Sequence, residues 1–351
     1  MLRAAIVGVG ENARDHGRAC VRSNRVDLAS ICDVDPTALE RFGGEYDVAP
    51  GSRYADLNEM LTSEQLEVVI VSTWGVHHAA IAKQVAAASG VRAILVEKPI
   101  SMTAAQCQEM IDAASKHGVV LAEAFKWRHD PQHLRVVQLV REGRIGAVRA
   151  IHGFFTSPLV RFADADNWRY DSQKGGGSIY DTASYLVHFS RLMTGTEPTR
   201  AFATAAFAEG RPSRSAAELS AAIALSFADG AVAHLTSSYE YGYCQAVQVV
   251  GTEGWIGLDL PFDQRSVREQ EFVEKEDLAA TVQLHHDSFD SETYRFAPRN
   301  QFDLQLDHLC DAAEGSTAFR IEPEFSLGNM RALDAVRASI DAGAPVAVAS
   351  D

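Results

Sequence analysis

Cations are scarce in this chain. Against 47 Asp and Glu it carries 32 Lys and Arg, a formal net charge of −15. Nucleic acids and anionic membrane surfaces both want clustered cations, so the balance argues against either partner. Cysteine is scarce too. Cys20, Cys32, Cys107, Cys244 and Cys310 are odd in number and scattered, with no C-x-x-C pair. Such spacing argues against a disulfide framework or a structural zinc site and fits a reducing cytoplasm. No apolar stretch is long enough to span a bilayer, and no repeat or low-complexity linker interrupts the chain. The opening MLRAAIVGVG has one Arg and an apolar run broken at glycine, which reads as a first strand rather than a signal peptide.

What is present is an ordinary globular composition, 46% hydrophobic and 23% charged over 351 residues, a length that suggests two domains. The first third alternates. Strand-like runs at Ala4–Val9, Leu28–Cys32, Val68–Ser72, Ile94–Val96 and Val119–Glu123 are separated by helix-like segments, among them Tyr54–Leu61, His78–Ala88 and Thr103–Lys116. Repeated βα units predict a parallel, doubly wound sheet. Its ligands belong beyond the carboxyl ends of the strands.

Three such ends carry polar residues. After the first comes Gly8-Val9-Gly10-Glu11-Asn12-Ala13, a G-x-G-x-x-A turn. Gly8 permits the tight turn, Gly10 admits a pyrophosphate, and Ala13 lets the helix pack closely. The helix N-terminus at Glu11 and Asn12 then offers free N–H groups to phosphate. After the second strand Asp33 stands where a carboxylate accepts hydrogen bonds from the adenosine ribose and repels a 2′-phosphate. Val34 rather than a cation follows it. NAD is therefore favoured, with NADP as the alternative; a turn residue in Asp-Val-Asp-Pro is the plainer reading of Asp33. The turn Ser72-Thr73-Trp74-Gly75-Val76-His77-His78 should also face the cofactor, with one of the two histidines contacting or capping. Ile94-Leu95-Val96-Glu97-Lys98-Pro99 ends a buried strand in a carboxylate, an amine and an imino acid. Pro99 confines Lys98 to extended geometry, and Glu97 is close enough to fix an amine there. A solvated surface pair is the bland alternative.

The second half reads as strands at Val148–Phe155, Thr199–Ala208, Ala217–Phe227, Ala231–Ser238 and Ala246–Gly251. Helices are expected at Leu134–Arg141, Ser178–Met193, Phe302–Ala313 and Leu327–Ala342, with a polar, irregular excursion from about Val267 to Arg299. After Gly175-Gly176-Gly177, the residues Asp181, Tyr185 and His188 fall at i, i+4 and i+7, one face of an α-helix. Three titratable groups in a row suit a cleft better than a core. The structural alternatives are a Ser178-x-x-Asp181 capping pattern, a core tyrosine and a satisfied buried histidine. Trp168 and Arg169 read equally as a sugar-stacking wall or as packing. Lys174 reads as a solvated lysine. Neither His77–His78 nor Asp303, Asp307 and His308 have the further ligands a metal needs, so no metal is expected.

Taken in order, Gly8-x-Gly10, Asp33, Tyr54-Ala55-Asp56-Leu57, His78, Glu97-Lys98-Pro99, Glu123-Ala124-Phe125-Lys126-Trp127-Arg128, Pro131 and Gly175-Gly176-Gly177-Ser178-Ile179-Tyr180-Asp181 resemble the glucose–fructose oxidoreductase / inositol dehydrogenase / MocA family. The resemblance covers essentially the whole chain. It implies an α/β fold: a Rossmann domain at 1–125, then a substrate and oligomerisation domain at 126–351 with an open, mostly antiparallel sheet, the C-terminal helix packing back on the first. It implies NAD or NADP, a sugar or polyol substrate, a homodimer or homotetramer through the second sheet, and a cis bond before Pro99. Tyr185 stands where inositol-type members carry histidine, so this chain resembles the tyrosine branch. Ala183 replaces the usual glycine, and Lys126 an apolar or amide residue.

On that resemblance Tyr185 is expected as general acid/base, Lys98 as its electrostatic partner and Asp181 as a substrate-orienting group. His188, Lys126, Trp168 and Arg169 are expected to line the substrate site. Glu97, Ser72, Thr73 and His78 are expected beside the cofactor with the glycine turn and Asp33. Three rival readings fit the same residues: an enzyme cycling tightly bound NAD through epimerisation, elimination or glycoside cleavage, a dihydrodiol dehydrogenase, and a non-catalytic NAD-bound sensor.

Overall fold

A computed structural model describes all residues except 208–216, 263–264, 269–270, 275–279, 289, 298 and 351. The chain divides into two compact units, the first from residues 1–129 with 300–327 and the second from 130–299 with 328–351.

The first unit alternates as its residue pattern dictates. Its elements are β1 (Leu2–Val7), α1 (Glu11–Arg22), β2 (Val26–Cys32), α2 (Pro36–Glu45), β3 (Arg53–Tyr54), α3 (Leu57–Ser63), β4 (Val68–Val71), α4 (Gly75–Ala86), β5 (Ala93–Val96), α5 (Ala104–His117) and β6 (Val120–Glu123). All six strands are parallel, in the order β3-β2-β1-β4-β5-β6. β4 and β5 are buried along their whole length, as strands covered on both faces must be. The order reverses between β1 and β4, the switch point at which such sheets bind ligands. The helix expected at Tyr54–Leu61 begins later, because Tyr54 joins the sheet and Asp56 caps α3 through Glu59 N.

The second unit holds α6 (Pro131–Arg141), β7 (Val148–Thr156), α7 (Ser184–Thr194), β8 (Pro198–Phe207), β9 (Glu218–Phe227), β10 (Val232–Ser238), β11 (Cys244–Gly251), β12 (Gly254–Asp259), β13 (Arg265–Arg268), β14 (Glu271–Glu274), β15 (Ala280–His286) and β16 (Ser291–Phe296). Next in chain order come α8 (Gln301–Ala313), which belongs to the first unit, and α9 (Pro323–Ala342), within which the division falls; β17 (Val346–Ala347) closes the chain. Nine strands form one unclosed sheet, β16-β15-β12-β11-β7-β10-β9-β8-β17, antiparallel except for the β7–β10 pair. Ile151, Gly153 and Phe155 of β7 face α7, and a Cβ on Gly153 would sit 2.8 Å from Leu186 Cδ2. α7 therefore lies close against the sheet.

The expected irregular excursion is a correction. Within its described residues β13 and β14 pair as a ribbon, and β15 and β16 extend the large sheet to its edge. The remainder of that expectation, at 269–270, 275–279, 289 and 298, lies outside the described residues, as does Ala208 at the end of the expected 199–208 strand.

Candidate active site

In the first unit the β1–α1 turn is built for close approach. Gly8 has φ +86°, and a Cβ there would lie 2.7 Å from Thr73 N and Cγ2. A Cβ on Gly10 would meet nothing within 4 Å, so space is open beside the start of α1. Gly10 caps α1 with no side chain on its first N–H groups, leaving the ends at Glu11 and Asn12 for a ligand. Ala13 is fully buried beneath them.

Asp33 closes the same end. Its Oδ2 accepts from Val9 N at 2.8 Å and its Oδ1 from Asp35 N at 2.9 Å. The turn reading of Asp33 is therefore the one the geometry shows: its carboxylate makes the turn and ties the glycine loop to β2. Each oxygen keeps a lone pair for a diol. Ser72, at the end of β4, is buried, and its Oγ lacks a hydrogen-bond partner. An unmet hydroxyl, an uncapped helix start, open space at Gly10 and an oriented carboxylate together fit a nicotinamide dinucleotide.

His78 is placed differently from a ligand contact. Its ring is buried, with Nδ1 3.0 Å from Pro99 O and Nε2 3.0 Å from Thr73 O. Both partners are acceptors, so a neutral ring donates to only one of them. Burial pushes its pKa down, while the two carbonyls and the Glu97 charge pull the other way. The residue binds the β4–α4 turn to the segment after Lys98. His77 is exposed and stacks on Trp74.

The Lys98–Pro99 bond is cis. Glu97 is 7% exposed, accepting from His16 Nε2 at 2.8 Å and from Lys98 N at 3.1 Å. Burial would raise its pKa, but the His16 bond and charge, then Lys98 and Lys126, hold it below the ordinary carboxylate range. Lys126 is buried, its Nζ 4.6 Å from the centroid of the Phe302 ring. His16 was not singled out from sequence. Its only local signal is a polar residue at the i+3 position from buried Ala13.

In the second unit the glycine triplet leads into one π-helical turn, Ile179–Ala183, before α7. The expected continuous α-helix from Ser178, and the α-helical i, i+4, i+7 face, is corrected to that extent. Ser178 does not cap; its Oγ pairs with Ser237 Oγ at 3.1 Å. Glu218 takes that place. Its Oε1 accepts from Ile179 N at 2.8 Å, and burial pushes its pKa up. Gly177 makes this fit, with φ +114° and its Cβ position overlapping the Glu218 carboxylate. Gly177→Ala should therefore destabilise by about 2–4 kcal/mol, through strain and displacement of Glu218, and lower the thermal midpoint. An unchanged melt would contradict this account of the turn.

Asp181 Oδ2 receives Arg169 Nε at 3.1 Å and lies 3.0 Å from the Tyr239 hydroxyl, which shares its proton with Gly177 O. Arg169 also lies over the Trp168 ring at 4.7 Å. Trp168, Arg169 and Asp181 thus form one polar group, anchored by Tyr239, whose own pKa is raised by burial and by the Asp181 charge. Tyr239 and Glu218 were missed in the sequence, since both reach this helix from strands distant in the chain. Tyr185 is 6% exposed, its ring 5.3 Å from Phe155 and 5.4 Å from Phe262. His188, a turn further on, is fully buried. Lys174 pairs with Asp171 at 3.8 Å, the solvated reading.

A doubly wound parallel sheet with this turn, followed by a mostly antiparallel sheet, defines a two-domain NAD(P)-binding oxidoreductase. Residues 2–125 match the oxidoreductase family with the NAD-binding Rossmann fold, and residues 133–257 match the GFO/IDH/MocA C-terminal domain. The chain belongs to the GFO/IDH/MocA family. It is 29% identical to the uncharacterized oxidoreductase ORF334 of Rhizobium meliloti over 308 residues, 87% of this chain and 85% of that protein. It is 26% identical to the D-xylose 1-dehydrogenase (NADP(+)) 2 of Haloferax volcanii, covering 93% of each. Its fold matches the aldose-aldose oxidoreductase of Caulobacter crescentus, crystallised with glycerol, at a TM-score of 0.85 and 24% identity over 99% of both chains.

Proposed function

We propose that this chain transfers a hydride between NAD and a carbinol or carbonyl carbon of a sugar, polyol or sugar derivative. The observation that carries the cofactor half is Asp33, whose carboxylate grips the glycine turn at the switch point of the sheet. The substrate half is supported by relatives named for xylose and aldose chemistry. Residues 1–125 serve the cofactor and 126–351 the substrate. Gly8, Gly10, Glu11, Asn12, Asp33, Ser72, Thr73, Glu97 and Lys98 would hold the dinucleotide, with His78 fixing the turn behind them. When bound, the nicotinamide supplies or accepts the hydride. Lys98 donates a hydrogen bond to the reacting oxygen, and Tyr185 carries the proton that leaves or joins it. Asp181, oriented by Arg169 and Tyr239, accepts from a neighbouring substrate hydroxyl. Trp168, Arg169, Lys126 and His188 complete the surroundings of the substrate.

The test is the near-ultraviolet absorbance of reduced nicotinamide, followed across aldoses, polyols and keto-sugars with each cofactor. One carbohydrate class should sustain turnover. kcat/KM with NAD should exceed that with NADP by about tenfold or more, since Asp33 meets a 2′-phosphate with like charge. A chain idle with the whole panel in both directions would overturn the reading, and a preference for NADP would remove Asp33 as the discriminator.

The same reading places the chain in a reducing cytoplasm, consistent with five free cysteines. It makes the chain a homodimer or homotetramer through the outer face of the nine-stranded sheet, where Phe154 and Phe202 are exposed.

A further inference from the structure

We infer that His16 is a positioning residue for Lys98, acting through Glu97. His16 lies on α1, six residues after Gly10, and is 3% exposed. Its partner Glu97 stands directly after β5 and directly before the lysine. One carboxylate therefore bridges two things: the imidazole of the helix that follows the glycine turn, at 2.8 Å, and the main-chain N–H of Lys98, at 3.1 Å. Phe302 meets the His16 ring edge-on at 5.0 Å, and the Lys126 ammonium lies over the same phenyl. The pair is thus shut away from water on that side by an aromatic ring.

An ionised carboxylate in such a place costs free energy unless its lone pairs are filled. His16 fills the Oε1 side and leaves Oε2 for the Lys98 amide, a charge-assisted bond stronger than a neutral one. Without the imidazole, Glu97 either takes a proton or turns toward another donor. Both responses loosen the Lys98 amide, and with it the backbone from which the side chain is aimed. The role presupposes that Lys98 takes part in the chemistry, as proposed above.

The experiment uses the full chain with NAD bound. His16→Leu removes the donor at similar volume, and His16→Gln restores an N–H near the position of Nε2. Deuterium exchange at the Lys98 amide reports the grip directly. The carbohydrate giving the highest rate in the panel above reports kcat and KM. In His16→Leu, exchange at that amide should quicken about tenfold or more. kcat should fall about 10–100-fold while KM for NAD moves less than about threefold. His16→Gln should return both readouts to within about threefold of the parent. In a Lys98→Met background, His16→Leu should lower kcat no further.

Unchanged exchange and unchanged kcat in His16→Leu would overturn the inference, as would losses that His16→Gln does not repair. Should His16→Leu not fold, His16→Asn, whose shorter amide falls short of Oε1, takes its place with the same outcomes. The two readings fail differently. If Lys98→Met keeps full turnover, the role of Lys98 is wrong. If Lys98→Met collapses but His16→Leu does not, only the role of His16 is wrong.

Discussion

Tyr185→Phe should lower kcat about 10²–10⁴-fold while the Kd for NADH stays within about threefold of the parent. The substitution deletes one oxygen and keeps the ring. That ring packs edge-on against Phe155 and obliquely against Phe262, contacts that phenylalanine retains. Volume-conserving changes of this kind perturb a packed core little. A large fall in turnover with an unchanged melt would therefore report proton transfer, not misfolding. kcat and kcat/KM should fall together, because the lost contact matters in the transition state rather than in ground-state binding. A variant that kept full turnover on its best carbohydrate would remove Tyr185 from the chemistry and leave the fold assignment untouched. A variant that lost NADH affinity in proportion to kcat would make Tyr185 a binding residue.

Local chemistry made the first unit readable. A glycine turn, a carboxylate after the second strand and branched strand residues act over a few positions, and each settled where the pattern placed it. Non-local chemistry was not readable. Nothing near His16 announces a carboxylate 81 residues on. Nothing near Gly177 announces Glu218, although that contact decides why a glycine is needed there. The winding of the turn from Ile179 to Ala183 escaped for a related reason. Spacing alone counts residues and assumes 3.6 per turn, whereas a π turn follows from what the backbone must reach. β16 was missed because it is an edge strand. Its residues alternate between exposed and half-buried, so a polar sequence sits in the sheet without an apolar face to betray it. His78 carried a family signal, but it lies inside α4 and its ring nitrogens face two backbone carbonyls, which spacing alone does not reveal.

Lys98→Met should lower kcat about 10²–10³-fold, with Kd for NADH changed by no more than a few-fold. Methionine keeps an unbranched, flexible stem of similar length and removes the charge. The hydrogen bond from the Lys98 main-chain N–H to the Glu97 carboxylate survives, because its donor is backbone. The loss then isolates the ammonium. If that ammonium favours the Tyr185 phenolate, its removal raises the pKa at which the base becomes competent. The rising limb of the pH–rate profile for oxidation should then move to higher pH, and part of the lost rate should return in alkali. If the ammonium only holds the reacting oxygen, the profile keeps its place and drops uniformly. Lys98→Arg separates charge from shape: it restores a cation but replaces a compact donor with a planar fork, so recovery should be partial. The double variant with Tyr185→Phe decides whether the two act as a unit. Residues that share one proton transfer are strongly non-additive, so the double should be little worse than Tyr185→Phe alone. Losses that multiply would instead assign the lysine and the tyrosine to separate steps.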